Sequence, residues 1–291
     1  MNVGLDQFSF HRFYGDVFPW EDDPGVRWTL VDFLDRAEAL GVKLVGLHAH
    51  YFTRDESARL KGLLSGRGLT CILEWGHPDG LKMGTSTEAI ADLLYWFRIA
   101  VANDCKLVRI VGGYPTWRGR EPVQAQMERL LPVLRRLSND AKAHGLTLAI
   151  ENHADFTPQE LVELVDRVNN DTLQICFDTG NGVRLGADLI QSARRVASHT
   201  AMVHLKDLRP LESSRGNPNA SWPSAPLGQG EFDLPRVITT MQNNGFDGPW
   251  LIELAQMHPD CPDEQTSVEQ SVRWLRDFSQ TGKRNCTWKS P

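Results

Sequence analysis

A chain of 291 residues with 41% hydrophobic content can bury a large core, and its length suits one α/β barrel or two smaller domains. A net charge of −6 with both signs interspersed excludes the basic surface of a nucleic-acid binder. No run of 18 apolar residues marks a membrane span, and MNVGLDQFSF lacks the charged and apolar regions of a signal peptide, so the expectation is a cytoplasmic protein with neither membrane nor nucleic-acid partner.

Val3 to Phe10 reads as a first strand and Trp28 to Gly41 as an amphipathic helix closed by glycine. Lys43 to His50 is the second strand, followed by a helix from Asp55 to about Gly66. Leu69 to Trp75 is the third, and Ile90, Leu93, Leu94 and Phe97 set a helical spacing between Thr87 and Asn103. Leu107 to Gly113 is the fourth strand, with a long helix from Pro122 to His144. Leu146 to Asn152 is the fifth, and Pro158 opens the helix after it. LQICFD, AMVHLK and WLIEL supply the last three strands, separated by helices over 188–198 and 233–244, and a final helix spans 264–280.

Eight short aliphatic strands alternating with helices predict a closed parallel barrel, an α/β fold of the (β/α)8 TIM type forming one domain over 1–291. A doubly wound nucleotide-binding sheet has no fingerprint here, since neither GxGxxG after the first strand nor GxxxxGK[ST] occurs. The connection 208–229 is long and rich in Pro, Ser, Asn and Gly. Structureless loops of that length are usually functional, and this one is expected to be a lid. Five cysteines without CxxC spacing argue against a disulfide framework or zinc ribbon; Cys71 and Cys176 read as buried hydrophobes. Trp20, Trp75 and Trp117 are candidate pocket walls.

The last four strands each end on a potential metal ligand: Glu151, Asp178, His204 and Glu253. Strand C-termini are where barrels do chemistry, and three converging carboxylates repel one another unless a cation neutralises them. Three oxygen donors and an imidazole suit Mn²⁺ or Mg²⁺, with Co²⁺ or Zn²⁺ as alternatives. Four protein ligands leave positions for two neighbouring substrate oxygens. A chelated hydroxy-ketone has an acidified α C–H, and Glu151 and Glu253 are the candidates to remove and return that proton through an enediolate.

IENH, FDTGN and HLKD, with LGQGEFDLPRVITTMQNNGFDGPWLIEL, resemble the xylose-isomerase-like TIM-barrel superfamily, in particular its sugar phosphate isomerase/epimerase branch, most closely over 146–254. The resemblance implies that Glu151, Asp178, His204 and Glu253 hold a divalent metal, that the two glutamates transfer the proton, and that the partner is a small carbohydrate. Barrels of this kind often associate as homo-oligomers through their outer helices. Asn181 stands where many relatives have a histidine, and is expected to bind substrate together with His48, Glu74, His153, Lys206 and Arg209; His50 is a weaker candidate. Lys206 and Asp207 are alternatively an ion pair. Arg109, Arg118, Arg184 and Arg209 are candidates for holding a carboxylate or phosphate.

Isomerisation or epimerisation is the leading expectation. A lyase reaching the same enediolate by decarboxylation or dehydration is the alternative, and a non-catalytic sugar-binding barrel the reading from another class. The superfamily also contains abasic-site endonucleases. LHAHY faintly resembles their histidine pattern, but VGGYP lacks their histidine and Asn181 replaces another, so nuclease activity is not expected.

Overall fold

The structure, a computed structural model, describes residues 1–19, 21–76, 78–211 and 222–281. In chain order the strands are β1 Asn2–Asp6, β2 Leu44–His48, β3 Thr70–Glu74, β4 Leu107–Val111, β5 Thr147–Glu151, β6 Leu173–Asp178, β7 Thr200–Leu205, β8 Asp207–Leu208, β9 Ser224–Ala225 and β10 Pro249–Ile252. All but β8 and β9 pair in parallel and close in the order β1-β10-β7-β6-β5-β4-β3-β2, a (β/α)8 TIM barrel in one domain. The helices are α1 Leu30–Ala39, α2 Arg54–Ser65, α3 Thr87–Ala102, α4 Val123–Ala143, α5 Pro158–Val168, α6 Asn181–Arg184, α7 Leu189–Val196, α8 Leu234–Asn243 and α9 Glu264–Thr281.

Local chemistry sets the helix starts. Thr29, Thr53 and Thr157 each accept from the N–H three residues on, while Asp32, Glu56 and Glu160 reach back to the capping residue's own N–H. Each reciprocal pair satisfies two helix-end donors, worth about 1 kcal/mol per cap. The helices pack their apolar faces, including Leu34, Leu64, Phe97, Leu134 and Val162, against the outward residues of the strands.

Because side chains alternate along a strand, every second residue enters the barrel. Leu44, Ile72, Ala149, Cys176, Met202 and Leu251 pack together as one interior layer. Two residues further along the strands, the interior becomes polar: Gly46, Glu74, Glu151, Asp178, His204 and Glu253 succeed those aliphatic positions. The apolar layer therefore forms the floor beneath a buried ionisable cluster.

Four expectations need correction. The first strand stops at Asp6, not Phe10, because the Asp6 carboxylate accepts the Phe8 N–H at 2.7 Å and turns the chain into a kinked 3₁₀ segment, Gln7–Tyr14. Cys71 is disulfide-bonded to Cys105: the starts of β3 and β4 are brought side by side, so two cysteines 34 residues apart have Cα atoms 5.7 Å apart. Trp75 is fully buried and donates to Asp92 at 2.8 Å, so it packs in the core and does not wall a pocket. Lys206 and Asp207 do not pair. Successive residues point to opposite sides, and the Asp207 carboxylate instead accepts the N–H groups of Gly228, Gly230 and Phe232 at 2.9, 2.9 and 3.1 Å.

Those bonds tie the end of the long connection back to the strand it leaves, and β8 pairs antiparallel with β9 across its stem. The central part of that connection, 212–221, and Trp20 lie outside the described residues.

Candidate metal centre and cavity

Glu151 and Asp178 are the last residues of β5 and β6, His204 sits near the end of β7, and Glu253 follows β10. Asn152 aligns the first two: its side-chain amide donates to the Asp178 carbonyl at 2.9 Å and its carbonyl accepts the Asp178 N–H at 2.8 Å. The other Asp178 oxygen accepts the N–H groups of Gly180 and Asn181, which fixes its rotamer.

One ligand atom from each of Glu151, Asp178, His204 and Glu253 lies within 4.8 Å of all the others, and all four residues are buried. Glu151 Oε2, Asp178 Oδ2, His204 Nδ1 and Glu253 Oε2 are buried without a well-aligned hydrogen bond, although Arg109 Nε lies 2.6 Å from Glu151 Oε2 and Lys206 Nζ 2.8 Å from Asp178 Oδ2. His204 Nδ1 and Glu253 Oε2 are 2.7 Å apart. Two ligands each about 2.1 Å from one ion at a right angle are about 3 Å apart, so the spacing is that of ligands aimed at a common cation. The donor set therefore fits a divalent metal. The identity of the ion rests on donor chemistry.

Further partners hold the ring of His204. Its Nε2 lies 3.1 Å from Glu74 Oε1 and donates to it, leaving the Nδ1 lone pair for a metal. Asp6 lies behind, 3.6 Å from the same nitrogen and 3.0 Å from His48 Nε2. Neither Asp6 nor this use of Glu74 was legible in the sequence, beyond a carboxylate closing an aliphatic run.

Two cations stand against the carboxylates. Arg109 Nε lies 2.6 Å from Glu151 and 3.3 Å from Glu74, and Lys206 Nζ lies 2.8 Å from Asp178 and 3.1 Å from Glu253. Burial pushes the Glu151 carboxyl up, but Arg109, His153 and His204 together more than offset it and hold it well below the usual range. Glu253 is likewise raised by burial and lowered further by Lys206 and then His204, to about 2. Asp178 ends above its ordinary value because burial prevails over Lys206, with Glu253 and Glu151 adding repulsion. A dication would relieve that repulsion.

Above this cluster opens a cavity of about 640 Å³. Glu253, Lys206, His153, Asn181, His48 and His50 line it, as do Arg109 and Arg184. Asn181 donates to Glu151 Oε1 at 3.0 Å. His50 and His153 are lowered to about 4, chiefly by burial, and are neutral near pH 7. Glu74 is fully buried and touches His204 instead of the cavity lining. Arg209 points to Asp260 at 3.5 Å on the surface, and Arg118 is spent on Glu160 at 2.8 Å. Trp117 lies under Arg120, 4.8 Å from its guanidinium.

Comparison with solved structures returns the same barrel. The IolI protein, solved with a zinc atom bound, superposes with a TM-score of 0.75 at 15% identity, covering 98% of this chain and 100% of its own. D-Psicose 3-epimerase of Clostridium cellulolyticum H10, solved with D-tagatose, gives 0.70 at 16% identity over 96% and 98%. Among curated proteins, an uncharacterized Escherichia coli K12 protein, YihM, is 30% identical over 58% of this chain and 49% of its own length. The inosose dehydratase of Lacticaseibacillus casei is 26% identical over 46% and 48%. The chain thus spans about half the length of the curated relatives it matches. The family model described as xylose isomerase-like TIM barrel matches residues 4–278, and the chain belongs to that family.

Proposed function

We propose that the protein is a divalent-metal-dependent isomerase or epimerase of a keto-sugar or sugar derivative. The observation that carries this reading is the convergence of one buried ligand atom from each of Glu151, Asp178, His204 and Glu253, all within 4.8 Å of one another, at the base of a cavity whose lining includes polar groups. A divalent ion held there would polarise a substrate carbonyl and acidify the adjacent C–H.

Asp178 and His204 serve to hold the ion. Glu151 and Glu253 remove and return the substrate proton, one from each side of the reacting carbon. Asn181 orients Glu151 from 3.0 Å, and Arg109 keeps it ionised and able to accept. Lys206, His153 and His48 line the cavity where substrate hydroxyls would bind. The described stem of the long connection reaches the cavity wall, where Arg184 donates to the Trp222 carbonyl at 3.2 Å.

A lyase is the second reading. It is favoured by the inosose dehydratases among the curated relatives. Incubation of the Mn²⁺-loaded protein with keto-sugars and keto-sugar acids in D₂O separates the two. Exchange at an α carbon with the substrate's composition retained indicates isomerisation or epimerisation, and loss of water or CO₂ a lyase. Absence of all three across the panel contradicts both and favours a sugar-binding barrel. Full turnover in Glu151→Gln or Glu253→Gln sinks the proton-transfer assignment.

A further inference from the structure

Three fixed cations line the cavity: Arg109, Lys206 and Arg184. The first two are committed to carboxylates, Arg109 to Glu151 and Glu74, Lys206 to Asp178 and Glu253. Each of these two cations is thus held between two carboxylates.

Arg184 differs from the other two. It ends the short helix α6, half-buried, and its bonds go to neutral acceptors: Nη1 to the Asn181 side-chain carbonyl at 3.0 Å and Nη2 to the Trp222 main-chain carbonyl at 3.2 Å. Among the described residues it has no carboxylate partner. A guanidinium carries five N–H donors, so donors remain for a ligand beside the two that are used. Asn181, its first partner, donates in turn to Glu151 at 3.0 Å. The uncompensated charge thus stands one amide away from a carboxylate of the metal cluster.

We propose that Arg184 is an anion anchor, and that the substrate is a keto-sugar derivative bearing a carboxylate or phosphate, bound with its carbonyl end at the metal cluster and its anionic group at Arg184. This rests on the cavity being the substrate site, as in the proposed function. Guanidinium pairs with either anion in bidentate fashion, and a charge-assisted pair in a half-buried site contributes about tenfold to a hundredfold in affinity.

Calorimetric titration of the Mn²⁺-loaded full chain with 2-keto-D-gluconate, D-fructose 6-phosphate and D-fructose tests the anchor. At least one anionic probe binds about tenfold or more tightly than D-fructose, and the ratio of the two distinguishes carboxylate from phosphate. Arg184→Gln removes the preference, Arg184→Lys keeps part of it, and Arg209→Gln, which alters a surface arginine, keeps all of it. Equal binding of the three probes, failure of both anions to bind, or a preference that survives in Arg184→Gln with unchanged Mn²⁺ affinity overturns the proposal. A preference lost in Arg209→Gln overturns it as well. Should Arg184→Gln not fold, a preference fully retained in Arg184→Met has the same force. The metal reading fails separately, if the wild type takes up no Mn²⁺; the dependence of anion binding on Arg184 is then measured on the chain without metal and still decides the anchor.

Discussion

Gly46, in the middle of β2, is the position at which one methyl group tests the whole arrangement. A Cβ built there lies 2.5 Å from Glu74 Oε1, 2.6 Å from Asp6 Oδ2 and 2.7 Å from Leu251 Cδ2. All three are nearly 1 Å inside an ordinary contact of about 3.5 Å, and all three belong to fully buried residues, Glu74 and Asp6 on the strands that flank β2 and Leu251 on β10. Nothing can swing aside into solvent. Gly46→Ala is therefore an overpacking change costing about 1–3 kcal/mol, or a fall of roughly 2–12 °C in melting temperature for a domain of this size. Because the displaced Glu74 oxygen is the one that holds His204, Mn²⁺ affinity falls with it, by about tenfold or more. Gly62→Ala in α2 is the control: a Cβ there meets nothing within 4 Å, and stability stays level or rises by up to about 1 kcal/mol. Thermal melting and Mn²⁺ titration of both variants check this. A Gly46→Ala protein with wild-type melting and wild-type Mn²⁺ affinity would refute the placement of the Asp6 and Glu74 carboxylates inside the barrel.

Glu74→Ala leaves the Nε2–H of His204 without its acceptor and lowers Mn²⁺ affinity about 10- to 100-fold, while Glu74→Gln, whose carbonyl can still accept, loses less; equal affinities would show that Glu74 does not orient the ring. Asp207→Ala strands three N–H groups at the end of the long connection and costs about 2–4 kcal/mol by denaturant unfolding; undiminished amide protection at Gly228 and Gly230 would contradict that anchoring role. In the metal-free chain burial tends to lower the pKa of His204, but Cys176, Glu74 and Glu253 around it raise it well above its ordinary value. A proton on the imidazole then competes with the metal for Nδ1. Mn²⁺ affinity consequently rises with pH, and protons are released on binding in weakly buffered titration; a pH-independent affinity would argue that Nδ1 is not a ligand.

The barrel was legible because its strands and helices alternate locally, and Glu151, Asp178, His204 and Glu253 because each closes an aliphatic run. What escaped depends on pairings far apart in the chain. Asp6 and Glu74 lie side by side only once β1, β2 and β3 have closed, and nothing in NVGLD or TCILE announces it. Arg109 lies inside LVRIV, where the sequence suggests an anion-binding arginine; the barrel register instead sets it between Glu74 and Glu151. HLKD suggests an ion pair between Lys206 and its neighbour Asp207, but strand alternation sends the one into the barrel and the other out to the connection. Cys71 and Cys105 illustrate the same limit, since only the adjacency of β3 and β4 brings them together.

Glu151, Asp178, His204 and Glu253 are expected to bind one divalent ion together. Mn²⁺ titration of the metal-stripped wild type and of Asp178→Asn, followed by electron paramagnetic resonance or calorimetry, measures this directly. One tight site per chain is expected in the wild type and at least about a hundredfold weaker binding in a folded Asp178→Asn protein. Binding of no ion by the wild type, or a site of undiminished affinity in the variant, would contradict the central claim.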